Sequence, residues 1–315
     1  MAPPSNLPLQ EIVDTALDAA GAFRGQGEVA NYIPALARID PNNLGLAAIS
    51  LDGQTAAAGD ARASFSIQSI SKVFSLALAL EKIGDDLWEC VGREPSGSPF
   101  NSIVQLESEG GRPRNPLINA GAIATADRLI TQGNGADAIA QLESFLQTLA
   151  QDPTIEIDRA VAASEAAAGA RNRSLAHFMA AFGNLTQPVE TVLEVYFHQC
   201  ALSMSCVQLA RAGLFLANDG VDPITNAQII SPERTRRINA VMMLCGHYDN
   251  SGEFAFKVGL PGKSGVGGGI LAIAPGQGAI AAWSPGLNQA GTSLAGSVAL
   301  EHFATAANWS VFRHG

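Results

Sequence analysis

Lysine is nearly missing from this chain. Only Lys72, Lys82, Lys257 and Lys263 occur in 315 residues, and the formal net charge is −10. A surface for nucleic acid or anionic lipid needs clustered Lys and Arg, so the composition argues against both partners. Long hydrophobic runs are missing as well. The longest charge-free stretch, residues 264–300, is broken by Pro275, Pro285 and many glycines, which argues against a membrane span. The opening MAPPSNLPLQ has neither a basic nor an apolar region, and the first basic residue is Arg24. This predicts no secretory leader and a cytoplasmic setting. The four cysteines, Cys90, Cys200, Cys206 and Cys245, match no zinc or redox spacing and are expected as buried free thiols. The five histidines include no pair at i+3 or i+4, so no metal site is expected.

What is present suits a globular chain: 47% hydrophobic and 15% charged residues, enough for a sizeable core. Residues 9–20 carry Leu9, Ile12, Val13, Ala16, Leu17 and Ala20 at helical spacing. LGLAAISLDGQTAAAGD reads as a hairpin around Asp52-Gly53. FSIQSISKVFSLALAL, residues 65–80, reads as a helix start with Val73, Leu76, Ala77 and Leu80 on one face and Gly84 as its stop. From about 115 to 245 the pattern is helical, with breaks at TQGNG, NLTQP and NDGVDP. Near residue 252 it turns to alternation, with turn signals at Pro261-Gly262 and Pro275-Gly276, predicting a three-stranded meander. A last helix is expected over roughly 292–307.

Strands at the two ends of the chain are too few for independent sheets. They predict one antiparallel sheet built from both ends, with flanking helices and a large helical insertion, an α/β fold of the α+β kind. The chain 1–315 reads as a single domain, its sheet lobe at about 25–68 and 250–310 and its helical lobe at about 69–249.

Four serines crowd the helix start: Ser66, Ser69, Ser71 and Ser75. Only Ser69 has a lysine three residues on, Lys72. Residues i and i+3 share a helix face and side chains lean toward the N-terminus, which brings Lys72 back over Ser69. A neutral amine there suits a serine that must lose its proton. Lys263-Ser264-Gly265 follows on a predicted strand, and an S-x-x-K with a later K-[ST]-G is the pairing of penicillin-recognising serine enzymes. Two of four lysines fall in these motifs. The middle S-D-N motif of that class is missing; Tyr248-Asp249-Asn250 spells Y-x-N in another place. Gly267, Gly268 and Gly269 are read as room for a backbone or substrate to approach.

Longer strings carry a closer likeness. GEVANYIPALA (27–37), SIQSISKVF (66–74), VGREPSGSPFN (91–101), NPLINAGAI (115–123), SEAAAGARNRSLA (164–176), EVYFHQCAL (194–202) and CGHYDNSGEFAFKVGLPGKSGVGGGI (245–270) resemble, in order, the serine-dependent glutaminases. That resemblance implies a β-lactamase-like fold and cofactor-free hydrolysis of L-glutamine to L-glutamate and ammonia. It implies Ser69 as nucleophile, Lys72 as its activating base, and the backbone N–H groups of Ser69 and Val266 as oxyanion hole. Asn119, Glu165, Asn172, Tyr196, Tyr248 and Val266 fall where the family contacts glutamine, and Tyr32 where it sets a tyrosine beside the nucleophile. For Lys72 to be neutral, desolvation and the nearby charge of Lys263 are expected to lower its pKa. The resemblance further implies a homodimer or homotetramer and a modulating loop at GREPSGSPF. Two other readings stay open on sequence: a penicillin-type peptidase or β-lactamase, and a catalytically dead binding module.

Overall fold

The hairpin around Asp52-Gly53 forms. Strands β1 (Gly45–Ser50) and β2 (Thr55–Gly59) run antiparallel with Ala47 opposite Ala57, and Gly53 takes the φ of +87° that the tight turn needs. The computed structural model describes residues 7–96 and 102–312, so residues 97–100 of the GREPSGSPF segment lie outside the described residues. After three short strands, β3 (Phe65–Ser66), β4 (Glu156–Ile157) and β5 (Leu202–Met204), the C-terminal part supplies β6 (Gly262–Ser264), β7 (Gly269–Ala274) and β8 (Gly278–Trp283). β8 lies beside β1, Ala281 opposite Ala47. The five-stranded sheet has the order β2-β1-β8-β7-β6 and is antiparallel throughout. It is thus assembled from both ends of the chain, as the pattern predicts.

Both faces of this sheet are covered, which is why its strands stay apolar instead of alternating with polar residues. Leu46, Ala48, Ile270, Ala272, Ile280 and Ala282 belong to a core shared with helices α1 (Leu9–Gly21) and α13 (Leu294–Ala307). Ala47, Ile49, Leu271, Ile273, Ala279 and Ala281 point into the larger core beneath the helical lobe.

That lobe runs through α2 (Ser71–Ile83), the short α3 (Leu87–Cys90) and α4 (Ile103–Ser108), then α5 (Asn119–Leu129) and α6 (Gly135–Ala150). It continues with α7 (Arg159–Ala168), α8 (Ala170–Ala181), α9 (Val189–Cys200), α10 (Cys206–Ala217) and α11 (Pro232–Cys245). α2 is its central helix. Val73, Phe74, Leu76, Ala77 and Leu80 are fully buried, and Gly84 ends the helix at φ +64°. Shortening Leu76 to alanine there costs about 2–5 kcal/mol. No helix among the described residues is long and apolar enough to cross a membrane.

Three local readings change. Residues 65–70 are not helical: Phe65–Ser66 form β3 and Gln68–Ile70 a 3₁₀ turn, so α2 begins only at Ser71. Residues 251–257 form helix α12 (Ser251–Lys257) rather than the first strand of the meander, which starts at Gly262. A strand would put Phe254 and Phe256 on one face; the helix buries Phe254 and leaves Phe256 87% exposed. Finally, β3, β5 and β4 make a second small sheet in that order, with strands too short to leave a periodic signal.

Candidate active site

The four serines at the start of α2 separate by their partners. Ser66 donates to Cys200 O at 2.9 Å, Ser71 to Gln68 O at 2.7 Å and Ser75 to Lys72 O at 3.2 Å. Each is tied to local backbone. Ser69 alone lines a pocket of about 100 Å³ between the lobes, and its hydroxyl shares a hydrogen bond with Tyr248. It is presented by the 3₁₀ turn, in which Gln68 adopts φ +50°. A non-glycine residue in that region is strained, and such strain collects where surrounding structure fixes a functional group.

The glycines around Val266 set the opposite wall. A Cβ on Gly265 would lie 2.4 Å from Ile67 O, and one on Gly267 2.3 Å from Ser66 O. Their absence lets the β6–β7 connection press Val266 against the Ser69 turn, which is the close approach expected of this run.

Lys72 and Lys263 are both fully buried. Lys72 does not reach for Ser69. Its Nζ donates to Asn119 Oδ1 at 2.8 Å and to Leu117 O at 3.3 Å, because Ser69 sits outside the α-helical turn that would have stacked the two. Burial pulls the Lys72 pKa down to about 8. Lys263 is pushed well below the usual lysine range, by burial first and by the charge of Lys72 second. The repulsion between the two ammonium groups is mutual, so the pair disfavours holding both protons at once. Between them stands Tyr248, its ring centroid 4.3 Å from Lys263 Nζ and 5.8 Å from Lys72 Nζ. Tyr248 itself adopts φ +55°. Burial raises its hydroxyl pKa, and the bond with Ser69 works against that rise.

The remaining residues come from four segments. Asn119 opens α5; because Lys72 can only donate, the Asn119 oxygen faces it, and Nδ2 donates to Asn172 Oδ1 on α8 at 3.0 Å. Glu165 on α7 is 7% exposed. Desolvation raises its pKa to about 7, while a hydrogen bond from Gln68 and the charge of Lys72 oppose the rise. Tyr196 on α9 is buried and bonded to the Cys200 thiol. Tyr32 lies at the mouth, half exposed. Tyr32, Ser69, Asn119, Glu165, Asn172, Tyr196, Tyr248 and Val266 thus line one pocket, and Lys72 and Lys263 stand behind it.

The matching family model is Glutaminase, over residues 27–312. The chain belongs to the glutaminase family. It is 59% identical over 304 residues to a glutaminase of Agrobacterium fabrum, covering 96% of this chain and 98% of that one. Among solved structures it is similar to the probable glutaminase ybaS, with a TM-score of 0.92 and 38% identity, covering 97% of this chain and 98% of the other. A probable glutaminase from Bacillus subtilis complexed with 6-diazo-5-oxo-L-norleucine gives a TM-score of 0.84 at 34% identity, covering 96% and 95%. The fold is accordingly the β-lactamase-like fold of glutaminases.

Sequence reasoning missed five residues of this glutaminase-family pocket: the apolar Ile33 and Ala168, and Gln68, Arg171 and Cys200. Gln68 and Arg171 are chain neighbours of Ser69 and Asn172. Cys200, read only as a buried free thiol, is buried but stands one helical turn after Tyr196, at the i+4 spacing that shares a face. Burial pushes its thiol pKa up to about 12, so it packs and accepts a hydrogen bond rather than reacting.

Proposed function

We propose that the chain hydrolyses L-glutamine to L-glutamate and ammonia through a serine acyl-enzyme. Membership of the glutaminase family makes it an amidohydrolase acting on the amide of glutamine. The observation that carries the serine mechanism is Ser69 itself. Of four clustered serines it alone faces the pocket, hydrogen-bonded to Tyr248 and one turn from a lysine whose pKa burial brings to about 8.

Ser69 Oγ attacks the side-chain amide carbon and its proton passes to neutral Lys72, whose Nζ turns from Asn119 toward Ser69 to take it. The developing oxyanion is met by the backbone N–H groups of Ser69 and Val266, at the positive end of α2. The C–N bond then breaks, the nitrogen takes a proton from Tyr248 or Lys72, and ammonia departs. Water attacks the glutamyl ester, the same groups take its proton, and Ser69 is released with L-glutamate. Lys263 acts behind Tyr248, whose ring it underlies at 4.3 Å. Tyr32 stands beside Ser69 at the mouth.

Glutamine binding uses the other wall. Its ammonium pairs with Glu165, its carboxylate takes donors from Asn119 and Asn172, and the Tyr196 ring packs beside it. The test is ammonia release from L-glutamine, without ATP or metal, by the native chain and by Ser69→Ala. Activity in the first and none in the second is expected. A folded Ser69→Ala protein with native turnover removes Ser69 as nucleophile. Heat stabilisation by glutamine with no ammonia from the native chain indicates a binding module instead.

A further inference from the structure

Behind the Ser69 pocket lies a groove of about 700 Å³. Three helices present consecutive residues to the two cavities. On α7, Glu165 lines the pocket and Ala166 the groove; on α8, Asn172 and Arg173; on α9, Tyr196 and Phe197. Arg173 fastens this shared wall. It donates to Ala166 O at 2.8 Å, lies 5.6 Å over the Phe197 ring and stands 3.6 Å from a carboxylate oxygen of Glu190.

The groove is apolar inside and acidic at its rim. Ile139, Ile157 and Ala162 contribute to the lining, with Glu143, Glu156, Glu190 and Glu194 against only Arg159 and Arg173. Glu190 pairs with Arg173 and Glu143 accepts the Ile157 N–H at 3.3 Å. Among the described residues, Glu156 and Glu194 have no ion-pair partner. Glu190 and Glu194 stand one turn apart on α9, where like charges repel and a cation relieves both.

We propose that this groove is a second ligand site that takes a small amphipathic cation, an aryl- or alkylammonium. The apolar body fills the interior and the ammonium sits at the acidic rim; the volume suits such a ligand, within the roughly 300–1,000 Å³ of small-molecule sites. The cation competes with Arg173 for Glu190 and for the face of Phe197. Released, Arg173 no longer holds the end of α7 that carries Glu165. An occupied groove therefore weakens glutamine binding, and glutamine weakens the cation by the same factor. This coupling, unlike the groove itself, rests on the glutaminase reading.

The probe is phenethylammonium, with 2-phenylethanol as its uncharged counterpart, titrated by calorimetry into the native chain and into Glu156→Gln/Glu194→Gln. The native chain is expected to bind the ammonium more tightly than the alcohol, with Kd rising roughly fivefold or more in the double variant. At saturating ammonium the KM for glutamine rises roughly fivefold while kcat holds. Equal binding of the alcohol, an unchanged Kd in the double variant, or no binding overturns the site. An unchanged KM overturns the coupling. Calorimetry needs no turnover, so an inactive chain that still binds the ammonium in a rim-dependent way supports the site and counts against the glutaminase reading alone.

Discussion

Lys72 Nζ and Asn119 Oδ1 are 2.8 Å apart, and this bond ties the first turn of α2 to the first residue of α5. An amide oxygen favours the charged amine over the neutral one. With the Lys72 pKa near 8, the proposed base is mostly neutral only above that pH, so kcat/KM is expected to climb through a limb near pH 8. Asn119→Ala removes the acceptor, so the limb moves to lower pH while KM rises. A limb that stays in place takes Lys72 out of the titration.

The binding role proposed for Glu165 runs against stability. Its pKa is about 7 in the folded chain, against 4.5 for a glutamate in water, so folding favours its protonated form. That contribution is complete below pH 4.5 and lost as pH rises through 7, about 3 kcal/mol in all. Glu165→Gln carries no such burden. It is expected to melt higher than the native chain at pH 8 and to match it near pH 4.5, while its KM for glutamine rises steeply. Equal melting temperatures at both pH values dismiss the buried carboxylate as a cost.

Gly121 in α5 has no room for a methyl group: a Cβ there would lie 1.8 Å from Asn115 O. Asn115 cannot retreat, because its Oδ1 accepts from Leu117 N and Ile118 N and its Nδ2 donates to Glu94 O. Gly121→Ala is expected to cost about 3 kcal/mol and to lower the melting temperature by about 5 °C. Because Asn119 lies two residues earlier, activity falls at temperatures well below that transition. A native melting curve refutes the contact.

All four cysteines are buried and free, and burial raises every thiol pKa, those of Cys200 and Cys245 to about 12. A thiol-disulfide reagent at pH 8 is expected to titrate none in the native chain and all four after unfolding. Rapid native labelling of even one thiol, with activity lost, gives Cys200 a reactivity its surroundings argue against.

The residues that meet at the candidate site were easier to find in the sequence than their geometry. Scarce lysine turned Lys72 and Lys263 into strong signals, and the spacing to Ser69 picked one serine out of four. It could not show that Ser69 leaves the helix for a 3₁₀ turn, since that depends on Gly265 and Gly267 admitting a second backbone from far along the chain. The Phe254–Phe256 alternation misled for a related reason: only packing decides that one ring is inside and the other out. Cys200 was within reach by helix spacing from Tyr196, but a small apolar thiol carries no chemical flag of its own.

The interlocked ends of the sheet also set the order in which the parts of the candidate site are made. Ser69 and Lys72 leave the ribosome early, followed by the whole helical lobe, before Lys263, Val266 and β8 exist. Until β8 emerges, β1 and β2 are a lone hairpin, marginal in water, with an apolar edge awaiting its neighbour. A growing chain therefore lacks Lys263 and Val266 of the candidate site for most of its synthesis, and β1 keeps an unpaired edge until the last strand has been made.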